Sequence, residues 1–108
     1  MNFEEARTNM VLNQLRANRI SNNDLVDIYE NMERENFYPE DLKHLSYADT
    51  LIKHSDGRFI LPPLTSANLI QSLDDIKNDH ILEVGASIGV STAVMSKLAL
   101  SVDCVENS

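Results

Sequence analysis

The stretch Ile81–Leu98, ILEVGASIGVSTAVMSKL, decides the fold. Ile81 to Val84 form a short apolar run, Gly85 and Gly89 bracket a turn, and Ser91 to Leu100 carry apolar residues at helical spacing. The segment SVDCVE, ending at Glu106, then reads as a second strand. Strand, helix and strand within about thirty residues make a βαβ unit with parallel strands, so the expected fold class is α/β.

Working back from that unit, the chain reads as a helical lobe. Phe3, Ala6, Met10, Val11 and Leu15 recur at three- and four-residue spacing, which predicts a helix from Phe3 to about Asn18. In SNNDLVDIYENM, Ser21 is placed to cap the next helix by accepting from the Asp24 N–H, with Leu25, Ile28, Tyr29 and Met32 as its buried face. Pro39 suits the first turn of a short helix over PEDLKHL. Two apolar runs flank His54-Ser55-Asp56-Gly57, and Asp-Gly predicts a tight β-hairpin whose second strand Pro62 and Pro63 end. Ser66 to Leu73 is helical by pattern, and Asp74 to Asp79 is a polar linker. The expected division is a helical and hairpin lobe over 1–76 and a partial cofactor-binding unit over 77–108.

Composition narrows the function classes. The 108 residues carry 17 acidic against 9 basic side chains, a net charge of −8, without a Lys/Arg cluster. A nucleic-acid or anionic-membrane partner is therefore not expected. The acidic opening MNFEEARTNM is unlike a signal peptide, and no run approaches the ~20 apolar residues of a membrane span. With one cysteine, no internal disulfide can form, and the reading is a soluble cytoplasmic protein. Cys104 is expected as a buried thiol, Met10, Met32 and Met95 as core, and Tyr38 and Tyr47 as packing of the N-terminal lobe. His44, His54 and His80 fit no metal-ligand spacing and read as surface residues, and Asp74 and Asp75 as solvated charge.

The glycine turn is the candidate site. A tight strand-to-helix turn brings backbone close to whatever lies above the strand's carboxyl end. Gly85 and Gly89 lack a Cβ, and Ala86 and Ser87 are small. Glu106, about twenty residues beyond Gly85 at the end of the second strand, can accept hydrogen bonds from ribose hydroxyls. The spacing Gly85-x-x-x-Gly89 does not meet the dinucleotide pattern G-x-G-x-x-G, which argues against NAD. Turn and acid suggest a nucleoside-containing cofactor with an uncharged linkage, such as S-adenosylmethionine.

Several stretches in order resemble the N-terminal half of the protein-L-isoaspartate O-methyltransferase family. RENFYPEDLKHLSYAD resembles its R-x-x-F-V-P … A-Y-x-D stretch, LEVGASIGVSTAVMSKL its L-E-I-G-x-G-x-G-Y motif, and VDCVE its ribose-binding strand. The resemblance implies a Rossmann-like, S-adenosylmethionine-dependent enzyme that methylates the carboxylate of isoaspartyl residues in damaged proteins. It implies that Glu83, Gly85, Ala86, Ser87 and Gly89 line the methionine and adenosine side and that Glu106 binds the ribose. Three departures stand out. Leu61 falls where the family has a substrate-contacting serine, and Phe59 where it has a threonine. Ser87 replaces a glycine, at a cost of roughly 1–2 kcal/mol if the position needs positive φ. Family members also continue for about as many residues again, so the sheet here is expected to be truncated and incompletely covered. The alternative to an active enzyme is a non-catalytic remnant, or half of a split methyltransferase completed by a C-terminal chain or by self-association.

Overall fold

The computed structural model describes residues 2–55, 57–85 and 87–105. Helix α1 spans Phe3–Met10, where the Asn2 side chain caps it by accepting from Glu5 N at 3.1 Å and Glu4 and Glu5 meet the positive end of the helix dipole. It widens into a π-helical segment, Val11–Leu15, then tightens into a 3₁₀ turn, Arg16–Asn18. Arg19, at φ 71°, ends it, so the expected helical span holds.

Helix α2, Asn23–Asn31, starts one residue later than its sequence suggests. Asn22, not Ser21, is the cap, accepting from Leu25 N at 3.1 Å. A tertiary tie holds the approach to the helix: Gln71 Oε1 accepts from both Ser21 N and Asn22 N, and Gln71 Nε2 donates to Arg19 O. Leu25 and Tyr29 are buried with Met32, as expected, and Val26 joins them. Two 3₁₀ segments follow, Arg34–Phe37 and Glu40–Leu45, the second entered from Pro39.

Strands β1, Ile52–Lys53, and β2, Phe59–Ile60, pair antiparallel with Ile52 opposite Ile60. Gly57 turns the chain at φ 90°, and Gly57 N donates to His54 O; Asp56 lies outside the described residues. Pro62 and Pro63 do end the strand, but they also begin helix α3, Pro63–Ser72, three residues earlier than its apolar spacing indicates. Proline at the first helical position has no N–H to leave unsatisfied.

Strand β3, His80–Val84, crosses through helix α4, Val90–Ser96, to strand β4, Ser101–Val105, and the two strands pair in parallel. This is the expected βαβ order. Helix α4 is shorter than expected because Leu98 N and Ala99 N both bond back to Met95 O, turning the chain toward β4. One core runs through both expected parts of the chain. It joins Met10, Leu15, Leu25, Val26, Ile60 and Ile70 to Val94 and Met95, with Ile81 and Val102 packed against it.

The opposite face of β3 and β4 is bare. Leu82 is 64%, Val84 75% and Val105 52% exposed. Parallel sheets are ordinarily covered on both faces, so among the described residues this sheet is covered on one face only. Cys104, expected as a buried thiol, is exposed, on a strand that among the described residues has a neighbour on one side only.

Candidate functional site

The turn after β3 has the backbone that its glycines require. Gly85 N donates to Val105 O at 2.8 Å, so strand pairing persists to the first residue of the turn. Gly85 stands at φ 75° and Gly89 at φ 89°, both in the left-handed region where a side chain is strained. A Cβ added at either would meet nothing within 4 Å. Open space over two bare backbone positions is what a closely approaching ligand needs.

Ser87 also takes positive φ, at 58°. The strain expected for a serine in a glycine position is therefore present in the fold. Replacing Ser87 with glycine should remove about 1–2 kcal/mol of strain against roughly 0.5–1 kcal/mol of added chain entropy. A thermal melt of Ser87→Gly is expected to rise by a few degrees. A fall would show that the hydroxyl makes a compensating bond.

Glu83 bridges the two sides of the turn. It is the last residue but one of β3, and its two carboxylate oxygens accept hydrogen bonds from the Ser91 and Thr92 hydroxyls in the first turn of α4. The helix is seated by Val90, Val94 and Met95, all buried, so those hydroxyls are fixed by the core. Of the other residues expected at the site, Ala86 and Glu106 lie outside the described residues. Leu61 lies between β2 and α3, 42% exposed.

A polar network in the N-terminal lobe went unseen in the sequence. Arg34 is only 3% exposed, its Nε donating to Ser46 O at 2.8 Å and its Nη2 to Leu61 O at 3.3 Å. It thereby ties the Arg34–Tyr47 stretch to the segment that follows the hairpin. Beside it Glu35, buried, accepts from Tyr47 Oη at 2.6 Å and from Arg7 Nη2 at 3.1 Å. Arg7 Nε donates to Tyr47 Oη at 2.9 Å, which closes the triangle.

These contacts set the charges. Burial acts to raise the Glu35 carboxyl, and the hydrogen bonds from Tyr47 and Arg7 outweigh it, leaving its pKa below the ordinary value. Burial, reinforced by the bond to Glu35, pushes the Tyr47 hydroxyl up to about 12. The signal for this network was the run Arg34-Glu35 beside Tyr47 in the quoted motif. Charges do not announce burial through periodicity, and only the motif marked them.

His44 and His80 are exposed, as expected, with His80 Nδ1 2.5 Å from Ser101 Oγ, and His54 is half-buried. Among the described residues no group of three or more His, Cys, Asp or Glu is placed to hold a metal ion. Among them, too, no helix is long and apolar enough to cross a membrane.

Comparison with known proteins places this geometry. Residues 6–106 match the family described as protein-L-isoaspartate(D-aspartate) O-methyltransferase. A protein-L-isoaspartate O-methyltransferase of Pelotomaculum thermopropionicum is 31% identical over 100 residues, covering 93% of this chain and 44% of that protein. One from Methylorubrum extorquens is 34% identical over 102 residues, covering 94% and 45%. A solved protein-L-isoaspartate O-methyltransferase superposes with a TM-score of 0.75 at 24% identity, over 94% of this chain and 34% of that one. The chain thus spans about half the length of the curated relatives it matches.

Proposed function

The chain belongs to the protein-L-isoaspartate(D-aspartate) O-methyltransferase family, and from that premise we propose that it carries the cofactor-binding turn of an S-adenosylmethionine-dependent protein carboxyl methyltransferase. The observation that carries this reading is the Gly85–Gly89 turn, left-handed at both glycines and open above them. Gly85, Ala86, Ser87 and Gly89 would present bare backbone to the methionine and adenosine moieties, and Glu106 would accept from the ribose hydroxyls. Glu83 closes the base of the turn. S-adenosylmethionine, when bound, supplies a methyl group activated by its sulfonium.

The substrate on this reading is a protein carrying an isoaspartyl residue. The cofactor would supply its methyl group to that residue's carboxylate oxygen, leaving the demethylated thioether, and Gly85, Ser87, Gly89 and Glu106 are among the residues that would hold it. The protein's part is alignment of the two partners, which can supply several kcal/mol of the barrier. Leu61 offers no side-chain donor or acceptor at the position where the family has serine, so the substrate contact that the resemblance implies cannot be made from that side chain. No residue of these 108 is assigned a proton-transfer or nucleophilic role.

The test is binding by the chain itself. S-adenosylhomocysteine, the demethylated product, at 100 times its Kd should stabilise the fold by about 2.7 kcal/mol, a rise of roughly 10 °C in Tm. An unchanged melt with millimolar ligand would refute a competent cofactor turn. Labelled methyl transfer to an isoaspartyl peptide then separates an active chain from the second reading, a half-enzyme or remnant. A half-enzyme would transfer methyl only when a C-terminal chain of the family is added.

A further inference from the structure

The Glu83 carboxylate is the one charged group at the turn whose partners are defined, and they lie in the protein. Its oxygens are taken by Ser91 Oγ and Thr92 Oγ1, eight and nine residues on. The three side chains span the turn from the end of β3 to the start of α4, and they hold its two sides together. The turn has a use for such a tie, because Ser87 sits in the left-handed region at φ 58°, a conformation that costs a non-glycine residue free energy and that its surroundings must hold. Both hydroxyls face the carboxylate because Val90 and Val94, on the same short helix, are locked in the core.

We infer that Glu83 is a positioning residue and that Ser91 and Thr92 are the groups through which it acts: the three form a clasp that fixes the shape of the Gly85–Gly89 turn, and Glu83 does not itself contact the cofactor. Its last clause rests on the cofactor reading above, whereas the clasp stands without it. The clasp also gives a reason for the residue types. An acid near the strand end and two hydroxyls at the helix start give each carboxylate oxygen one donor across the turn.

A double-mutant cycle in the ligand-free chain tests the clasp, with Glu83→Gln, Ser91→Ala/Thr92→Val and the triple combination. Each of the first two should lower Tm by about 5–10 °C. The triple variant should fall no further than the worse of them. Ser91→Ala alone removes one of two bonds, so it should give about half the shift and keeps the cycle readable if a larger change unfolds the chain. In ¹⁵N spectra, the Gly85 and Gly89 amide signals should move in the same direction for Glu83→Gln and for Ser91→Ala/Thr92→Val. Additive losses in Tm, or glycine amides that respond to one change only, would overturn the clasp.

Titration with S-adenosylhomocysteine tests the remainder. If Glu83 acts through the hydroxyls, Glu83→Gln weakens binding in the wild-type background and has no further effect once Ser91 and Thr92 are replaced. An equal weakening in both backgrounds means direct contact and overturns the inference. If the wild-type chain fails to bind, the cofactor reading and the last clause fall together, and the stability cycle still decides the clasp.

Discussion

Replacing Glu35 with alanine is expected to destabilise the fold by about 3 kcal/mol, the lower end of the range for breaking a buried ion pair. The carboxylate serves two partners at once, Tyr47 Oη and Arg7 Nη2. Its loss leaves the Arg7 guanidinium, whose side chain is 14% exposed, without its counter-charge, and leaves a buried hydroxyl without its acceptor. A 5–15 kcal/mol domain loses a large share of its stability by that change. The Glu40–Lys43 pair is the internal control, since the Glu40 side chain is 89% exposed and its alanine variant should change stability by no more than about 0.5 kcal/mol.

The effect depends on pH in a direction the shifts dictate. Glu35 is depressed in the folded state, so its contribution is present above the ordinary carboxylate pKa and is lost as pH falls through the folded value. The gap in Tm between wild type and Glu35→Ala should therefore close below about pH 4. Tyr47 is raised to about 12, so its contribution is whole below its ordinary pKa of 10.0 and disappears between there and about 12. Glu35→Ala should bring that alkaline loss to lower pH, because it removes one cause of the rise. Tm measured by circular dichroism across the pH range checks both limbs, and a gap that widens in acid would refute the assignment.

Leu15→Ala is expected to cost about 2–5 kcal/mol, a fall in Tm on the order of 10–20 °C. Leu15 is fully buried at the end of the π-helical segment and belongs to the core that joins the helical lobe to α4. Backbone there is committed twice, in the helix and in the Ile20 N to Leu15 O bond that closes it, so the cavity cannot collapse freely. Leu12, on the same segment but 55% exposed, should tolerate alanine within about 0.5 kcal/mol. Urea denaturation of the two variants decides the matter: equal midpoints would mean that Leu15 is not the keystone its burial indicates.

Much of the architecture was legible because its signals were local. The apolar spacing of Met10, Val11 and Leu15, the Gly57 turn, and the strand–helix–strand run from Ile81 each follow from residues close together in the chain. What escaped depended on distant partners. Ser21 has the right chemistry for a cap, yet Asn22 takes that place, on a stretch whose backbone Gln71, about fifty residues away, holds at Ser21 N and Asn22 N. The early start of α3 was readable in Pro63, and the apolar spacing from Ser66 obscured it. Cys104 was read as buried because its strand is apolar, but burial needs a cover that apolarity alone does not provide. At the candidate site the glycines and the positive φ of Ser87 followed from motif and sterics, whereas the Ser91 and Thr92 clasp on Glu83 needed coordinates.

The bare side of the β3–β4 pair has a thermodynamic corollary. A fold with Leu82, Val84 and Val105 open to water has no fixed stability of its own once anything in its surroundings can lie on them, because mass action adds to folding whatever binds only the folded form. A partner seated there at 100 times its Kd would add about 2.7 kcal/mol to folding, so the melting temperature would rise with that partner's concentration.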